Sequence, residues 1–134
     1  MSREILFKAK RKNWKELPKE QWWVESFYSH NPNSEKAYIT SAGSMGFAHP
    51  YQVDSHTNCQ YTGLTDKYNN KIWENDICTV AGEDGYFTVE WDDDRARFVL
   101  NGDGVTIDFD NCYGHECEVI GNVFDDPELL GREG

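Results

Sequence analysis

The sequence predicts an all-β protein, on three observations. Apolar and polar residues alternate with a period of two along most of the chain. Helical periodicity is scarce, and the alternating runs are separated by short turns of Gly, Asn and Asp. With 134 residues, the chain is one compact domain or two small lobes sharing a core.

In the first half, Ile5 and Phe7 alternate with Leu6 and Lys8 ahead of a basic run. Trp22 to Tyr28 is rich in strand-forming residues, and Lys36 to Thr40 is a shorter candidate strand. Ser29 to Ser34, punctuated by Asn31, Pro32 and Asn33, reads as the turn between them. Ser41 to Pro50 contains Gly43 and Gly46 and reads as loop.

The second half carries the clearer pattern. Asp76 to Val80 is one strand, and Tyr86 to Trp91 places Phe87, Val89 and Trp91 on one face. Ala96, Phe98 and Leu100 alternate with Arg95, Arg97 and Val99, then Val105, Ile107 and Phe109 with Thr106 and Asp108. Glu116 to Phe124 is the last strand. The separators are Gly82-Glu-Asp-Gly85, Asp92-Asp-Asp94 and Asn101-Gly-Asp-Gly104. Five short strands so tightly joined predict a small closed barrel, because an open sheet leaves edges to be covered. Trp91, Phe98, Ile107, Val119 and Ile120 are its expected core, although Val119 and Ile120 cannot both face inward in a regular strand. Asp126-Pro-Glu-Leu-Leu-Gly131 supplies an N-cap, a proline at the first helical position and a glycine stop, which predicts one helical turn.

The chain holds 13 Lys and Arg against 24 Asp and Glu, a formal charge of −11. That balance argues against a protein that coats DNA, since phosphate binding runs on accumulated cations. At 38% hydrophobic and 14% aromatic residues it is not a disordered acidic chain. No run approaches the roughly 18 apolar residues of a membrane span. The opening residues lack an apolar signal region, so a soluble, intracellular protein is expected, with no membrane association. Charge is unevenly placed. Residues 1–15 hold Arg3, Lys8, Lys10, Arg11, Lys12 and Lys15 against Glu4, a net of +5; residues 76–134 hold three basic and sixteen acidic residues, a net of −13. Opposite patches on two copies of one chain would attract.

The candidate chemistry is thin. Cys112, His115 and Cys117 lie close together, but zinc sites use paired ligands on a turn with a second pair elsewhere, and only Cys59 with His56 offers one. Reduced thiols, no metal and no cofactor are therefore expected. Asp108-Phe-Asp110-Asn starts like a calcium loop but fails at Cys112, Tyr113 and Val119. His30, His49, His56 and His115 fall in no recognisable nucleophile signature, and no phosphate-binding or dinucleotide motif is present. No enzymatic activity is expected; an unrecognised carboxylate site is the one enzymatic reading left. The basic run Lys8, Lys10, Arg11, Lys12 and Lys15, with Trp14, Trp22 and Trp23, is the candidate contact for a partner or for nucleic acid, because cations interleaved with stacking rings suit a single-strand groove. The competing reading makes it a solvated hairpin with the tryptophans in the core.

Residues 61–77 read Tyr-Thr-Gly-Leu-Thr-Asp-Lys-Tyr-Asn-Asn-Lys-Ile-Trp-Glu-Asn-Asp-Ile. With Arg3-Glu-Ile-Leu-Phe-Lys at the start, Trp23-Val-Glu-Ser-Phe27, Val53 to Thr57, and Glu118-Val-Ile-Gly-Asn-Val-Phe-Asp-Asp-Pro-Glu-Leu-Leu130 at the end, these segments resemble, in order, the motifs of the YopX family of phage and prophage proteins. The family's central pattern is T-G-L-x-D-x-x-G-x-x-I-x-E-G-D-I, and its two glycines are replaced here by Asn70 and Asn75, which tolerate the left-handed conformation. The resemblance implies a mostly β protein with an SH3-like C-terminal barrel and assembly into oligomers, and it implies no catalytic residue set. Thr62, Asp66, Glu74 and Asp76 have two readings: a polar site between the lobes, or a turn with Gly63 at a special angle and Asp66 closing an Asx-turn over Asn69 and Asn70. Turn chemistry accounts for each residue without a ligand.

The combined expectation is an N-terminal β lobe over residues 1–61 packed on an SH3-like five-stranded barrel with a short helical tail over 62–134. Its role is that of a non-enzymatic phage or prophage accessory protein acting through protein contacts, with itself as homo-oligomer and with a host or phage protein. The alternative is a nucleic-acid-associated protein using the basic segment.

Overall fold

The computed structural model describes residues 5–34, 36–42, 48–102, 105–109 and 116–131. The fold is all-β: among the described residues, eleven strands are joined by turns and isolated 3-10 turns, and the strand pairings are antiparallel. The strands are β1 Phe7–Lys10, β2 Trp23–His30, β3 Ala37–Ala42, β4 Ala48–Val53, β5 Cys59–Thr65, β6 Lys71–Trp73, β7 Asp76–Val80, β8 Phe87–Asp92, β9 Arg97–Gly102, β10 Val105–Asp108 and β11 Cys117–Asn122. They hydrogen-bond in the orders β4-β3-β2-β1-β5-β6 and β10-β9-β8-β7-β11. The chain divides into two compact units, Met1–Gln60 and Tyr61–Gly134.

In the first unit the strand period puts Phe7 and Ala9 on one side of β1 and Lys8 and Lys10 on the other. Register then aligns Ala9 with Val24, Tyr28 with Ile39 and Ala37 with Val53. Ala9, Ala37, Ile39 and Val53 form the buried core, with Val24 and Tyr28 packed against them. Ser41 to Pro50 is not all loop: β3 runs to Ala42 and β4 begins at Ala48. Pro50 is accommodated because β4 ends the sheet order, where a missing N–H breaks no ladder. The end of β4 returns to the end of β1 through a bridge between Arg11 and Val53, and the Lys12 and Asp54 N–H groups donate to Gln52 and Lys10. A 3-10 turn, Ser55–Thr57, fixes this corner: Asp54 caps it, and the Thr57 hydroxyl accepts from the Lys10 N–H at 2.8 Å and donates to the Asp54 carbonyl at 2.7 Å.

In the second unit, Ile72, Cys78, Val80, Phe87, Val89, Leu100 and Cys117 are the core, flanked by Phe98, Ile107, Phe109 and Val119. Phe87, Val89, Phe98, Leu100 and Ile107 are inward positions that two-residue alternation assigns on β8, β9 and β10, but Phe98 and Ile107 are half-buried at the edge of the core rather than within it. Gly102 is required by this packing, since a Cβ there would lie 2.7 Å from the Phe87 ring. Among the described residues no sheet closes: β10 and β11 are the two ends of the five-stranded order, and the closed barrel expected from strand spacing is not shown. Trp91 is corrected from core to 43% exposed: it lies at the hairpin end of the inward row, with the Phe98 ring 5.0 Å away edge-to-face. Val119 and Ile120 are both half-buried, and a register shift between Val119 and Gly121 makes that compatible with one strand. The tail forms the expected single turn, Pro127–Leu130, ended by Gly131 in the left-handed region at φ 74°.

Leu100→Ala should destabilise the protein by about 2–5 kcal/mol, because a fully buried side chain leaves a cavity. Trp91→Ala should cost distinctly less despite the larger ring. Urea unfolding of both variants checks this, and equal losses would overturn the placement of Trp91.

Candidate functional site

The basic segment folds onto aromatic rings of its own unit. Lys10, on β1, is only 4% exposed, and its Nζ lies 3.9 Å from the centroid of Trp14, 4.6 Å from Trp22 and 5.8 Å from Trp23. Trp23 reaches Lys10 because the two are cross-strand partners. Trp14 and Trp22 arrive on 3-10 turns, Trp14–Glu16 and Lys19–Gln21 with its following residue. The two indoles pack edge-to-face at 4.8 Å, and the Trp22 Nε1–H donates to the Leu17 carbonyl at 2.9 Å. The Lys8 Nζ lies 4.8 Å from the Trp23 ring, and the Arg11 guanidinium 4.2 Å from Tyr51. Lys15 and Lys19 reach the outer rims of Trp14 and Trp22 at 5.6 and 5.8 Å, and both remain exposed, as does Lys12. The ring faces attract cations through their quadrupoles, most strongly when water is excluded. Lys10 is thus an internal cation in a cage of three tryptophans. Tyr51 and Lys19 belong to the arrangement and were not singled out in the sequence; the repeated Trp and Lys spacing was the available signal.

Thr62, Asp66 and Asp76 bond backbone groups within the second unit. Thr62 lies on β5 and donates its hydroxyl to the Ile72 carbonyl at 2.7 Å, while accepting from the Leu64 N–H at 3.2 Å. The turn expected at 62–66 therefore begins later, since β5 continues to Thr65. Asp66 is 1% exposed. Its Oδ1 accepts the N–H groups of Tyr68 and Asn70, both at 2.9 Å, and its Oδ2 accepts the Val119 N–H at 3.0 Å and the Asn70 side chain at 3.4 Å. The Asx-turn is present, and it is also tied to β11. Burial alone would raise the Asp66 pKa, but the bonds from Val119, Asn70 and Tyr68 outweigh it and hold the carboxyl below its usual value. Asp76 accepts the Trp73 N–H at 2.8 Å, closing the β6–β7 turn in which half-buried Glu74 sits.

Gly63, at φ 89°, needs the special angle foreseen for it. Counted along the family pattern from Thr62, its two later glycines fall on Asn69, rather than Asn70, and on Asn75, and both asparagines are left-handed, at φ 66° and 71°. Cys112 and His115 lie outside the described residues, and Cys117 is buried in the core beside β7. Burial pushes the Cys117 thiol up to about 11 and raises that of Cys78 further, so neither is a thiolate at neutral pH. Among the described residues, no cluster of three His, Cys, Asp or Glu could hold a metal.

Lys10→Met keeps the stem and removes the charge, and should cost about 1–2 kcal/mol in urea unfolding; a variant as stable as the parent would show that the cage contributes nothing. Asp66→Asn presents an amide N–H to the Val119 N–H and should cost about 1–3 kcal/mol. Because its folded pKa is depressed, Asp66 contributes stability above the unfolded value of about 3.9 that is lost as pH falls below it. The acid limb of a stability-against-pH curve should accordingly be shallower in Asp66→Asn than in the parent.

No helix among the described residues is long and apolar enough to cross a membrane. No curated protein matches the chain. The chain is similar to the crystal structure of protein EF1440 from Enterococcus faecalis, at 22% identity and a TM-score of 0.56, over 96% of this chain and 99% of that one. At that identity the likeness concerns the fold alone. The family model described as YopX protein matches residues 8–131, nearly the whole length, and the chain belongs to the YopX family.

Proposed function

We propose that this YopX-family chain is a phage- or prophage-encoded, non-enzymatic accessory protein that works in the host cytoplasm through protein–protein contacts, as a homo-oligomer. The observation that carries this reading is a set of large apolar side chains left in solvent. Phe27 is 71% exposed on β2 and Tyr68 63% exposed on the Asp66 turn. Aromatic residues are enriched at protein–protein interfaces relative to the rest of a protein surface. The cation cage supports the same reading against the nucleic-acid alternative. Lys10 is enclosed, Lys8 and Arg11 lie on rings, and the exposed cations Lys12, Lys15 and Lys19 are too few to offset a chain of charge −11 before a polyanion.

Light scattering on the purified chain should give a mass above 15.5 kDa at micromolar concentration, and Phe27→Glu should lower it. A strict monomer would overturn the homo-oligomer. Labelled single- and double-stranded oligonucleotides should show no binding near physiological salt; tight, salt-sensitive binding lost on neutralising Lys12, Lys15 and Lys19 together would favour the alternative.

A further inference from the structure

The polar face of the five-stranded sheet carries a groove that none of the roles above uses. It measures about 490 Å³ and is lined by Tyr86, Thr88, Glu90 and Asn101 of the β8–β9 region and by Leu129 and Leu130 of the terminal turn. That volume lies within the range of about 300–1,000 Å³ usual for ligand sites. Its one charged group is set in place. The Glu90 Oε2 accepts the Thr88 hydroxyl at 2.7 Å and the Asn101 Nδ2–H at 3.1 Å. The Asn101 amide is oriented in turn by the Thr106 hydroxyl, 3.3 Å from its Oδ1. Register places Thr88 opposite Asn101 and Asn101 opposite Thr106, so the network spans three strands. Among the described residues, the Glu90 Oε1 has no hydrogen-bond partner. A carboxylate with one oxygen fixed and the other unengaged, beside a phenol and two leucines, fits a cation on an apolar stem.

We propose that this groove takes a basic side chain, lysine or arginine, from a segment of a partner protein, its cationic head on the Glu90 Oε1 and its methylenes between Tyr86 and the leucines. Charge complementarity selects that occupant. Residues 61–134 hold five basic against eighteen acidic residues, a net of −13, which draws in cationic segments and repels acidic ones. Charge-assisted hydrogen bonds are about twice as strong as neutral ones, and a carboxylate already held by two donors loses little freedom on accepting a third. This inference rests on the protein-contact reading but can fail separately from it.

The test uses a fluorescent hexapeptide with one central arginine flanked by leucines, its lysine analogue, and a norleucine analogue that keeps the stem without the charge. The parent chain should bind the arginine or lysine peptide. Glu90→Gln and Tyr86→Ala, both at exposed positions, should each weaken binding, Glu90→Gln by about tenfold or more. The norleucine peptide should not bind. Absence of binding by both basic peptides, equal binding to parent and Glu90→Gln, or a Glu90→Gln variant that shifts only the melting temperature would overturn the proposal, the last by reducing the network to cross-strand support. Competition by methylguanidinium at the peptide's own potency would also overturn it, because the site would then read a small cation rather than a protein segment. Failure of the peptides with the oligomer intact would leave the protein-contact reading standing, whereas a monomer that binds peptide would separate the two in the other direction.

Discussion

A buried carboxylate organises the second unit. Four hydrogen bonds converge on Asp66, three from backbone N–H groups and one from a side-chain amide. Two of the backbone donors belong to its own turn and the third to Val119, 53 residues further along the chain. The same side chain thus fixes the reversal between β5 and β6 and anchors β11, an end strand of the five-stranded order. The Lys67 N–H, which donates to the Cys117 carbonyl at 3.0 Å, adds a second tie between that turn and β11. An ionised carboxylate out of water is tolerable only when donors replace its hydration, and here the donors are groups that a turn and a sheet end would otherwise leave unpaired. Donor and acceptor solve each other's desolvation, which is why a charge can sit at 1% exposure in so small a structure.

The first unit meets the complementary problem with aromatic surface. Four core residues, two of them alanines, give it little apolar volume. The other side of its sheet is covered where Trp14, Trp22 and Trp23 gather around the Lys10 ammonium. The lysine stem buries beneath the rings while the ring faces take the place of water around its head. A run of cations that looks like a binding strip in one dimension is thereby folded into the scaffold at its middle. Among its described residues, Lys12, Lys15 and Lys19 are exposed at the rim, and Lys8 and Arg11 are half-buried.

Legibility followed the range of the determining contact. The five strands from Asp76 to Asn122 were readable because period-two alternation is a property of neighbours along the chain, and the terminal turn because its cap, proline and glycine are contiguous. The β5–β6 pair was not, since Gly63 and the register shift between Tyr61 and Thr65 break the alternation that would have announced it. Barrel closure is a tertiary matter that spacing cannot reach: among the described residues the last of the five strands, β11, pairs with the first, β7, while β10 and β11 are left as the two ends of the order. Alternation puts Trp91 on the same face as Phe87 and Val89 and so predicts it in the core, but its position at the end of the row leaves it exposed. The Asp66 turn was readable as an Asx-turn, whereas its bond to Val119 spans too much sequence to be seen. At the basic run, residue types pointed to the rings but could not say that the cations would be enclosed by the chain's own tryptophans.

The burial of those cations also changes what can drive association. Read from sequence, the +5 start of one copy and the −13 end of another would attract, and such attraction weakens within a Debye length as salt rises. With Lys10 enclosed and Lys8 and Arg11 lying on rings, the outward positive charge is smaller than the sequence count suggests. Exposed apolar groups, Phe27 and Tyr68 first among them, behave in the opposite sense, since excluded salts strengthen apolar burial. The sign of the salt dependence therefore distinguishes the two forces: contacts that loosen with salt are carried by the charge asymmetry, and contacts that hold or tighten are carried by the aromatic surface. The net charge is +2 over residues 1–60 and −13 over residues 61–134, so any force that follows the charge count falls mainly on the second unit.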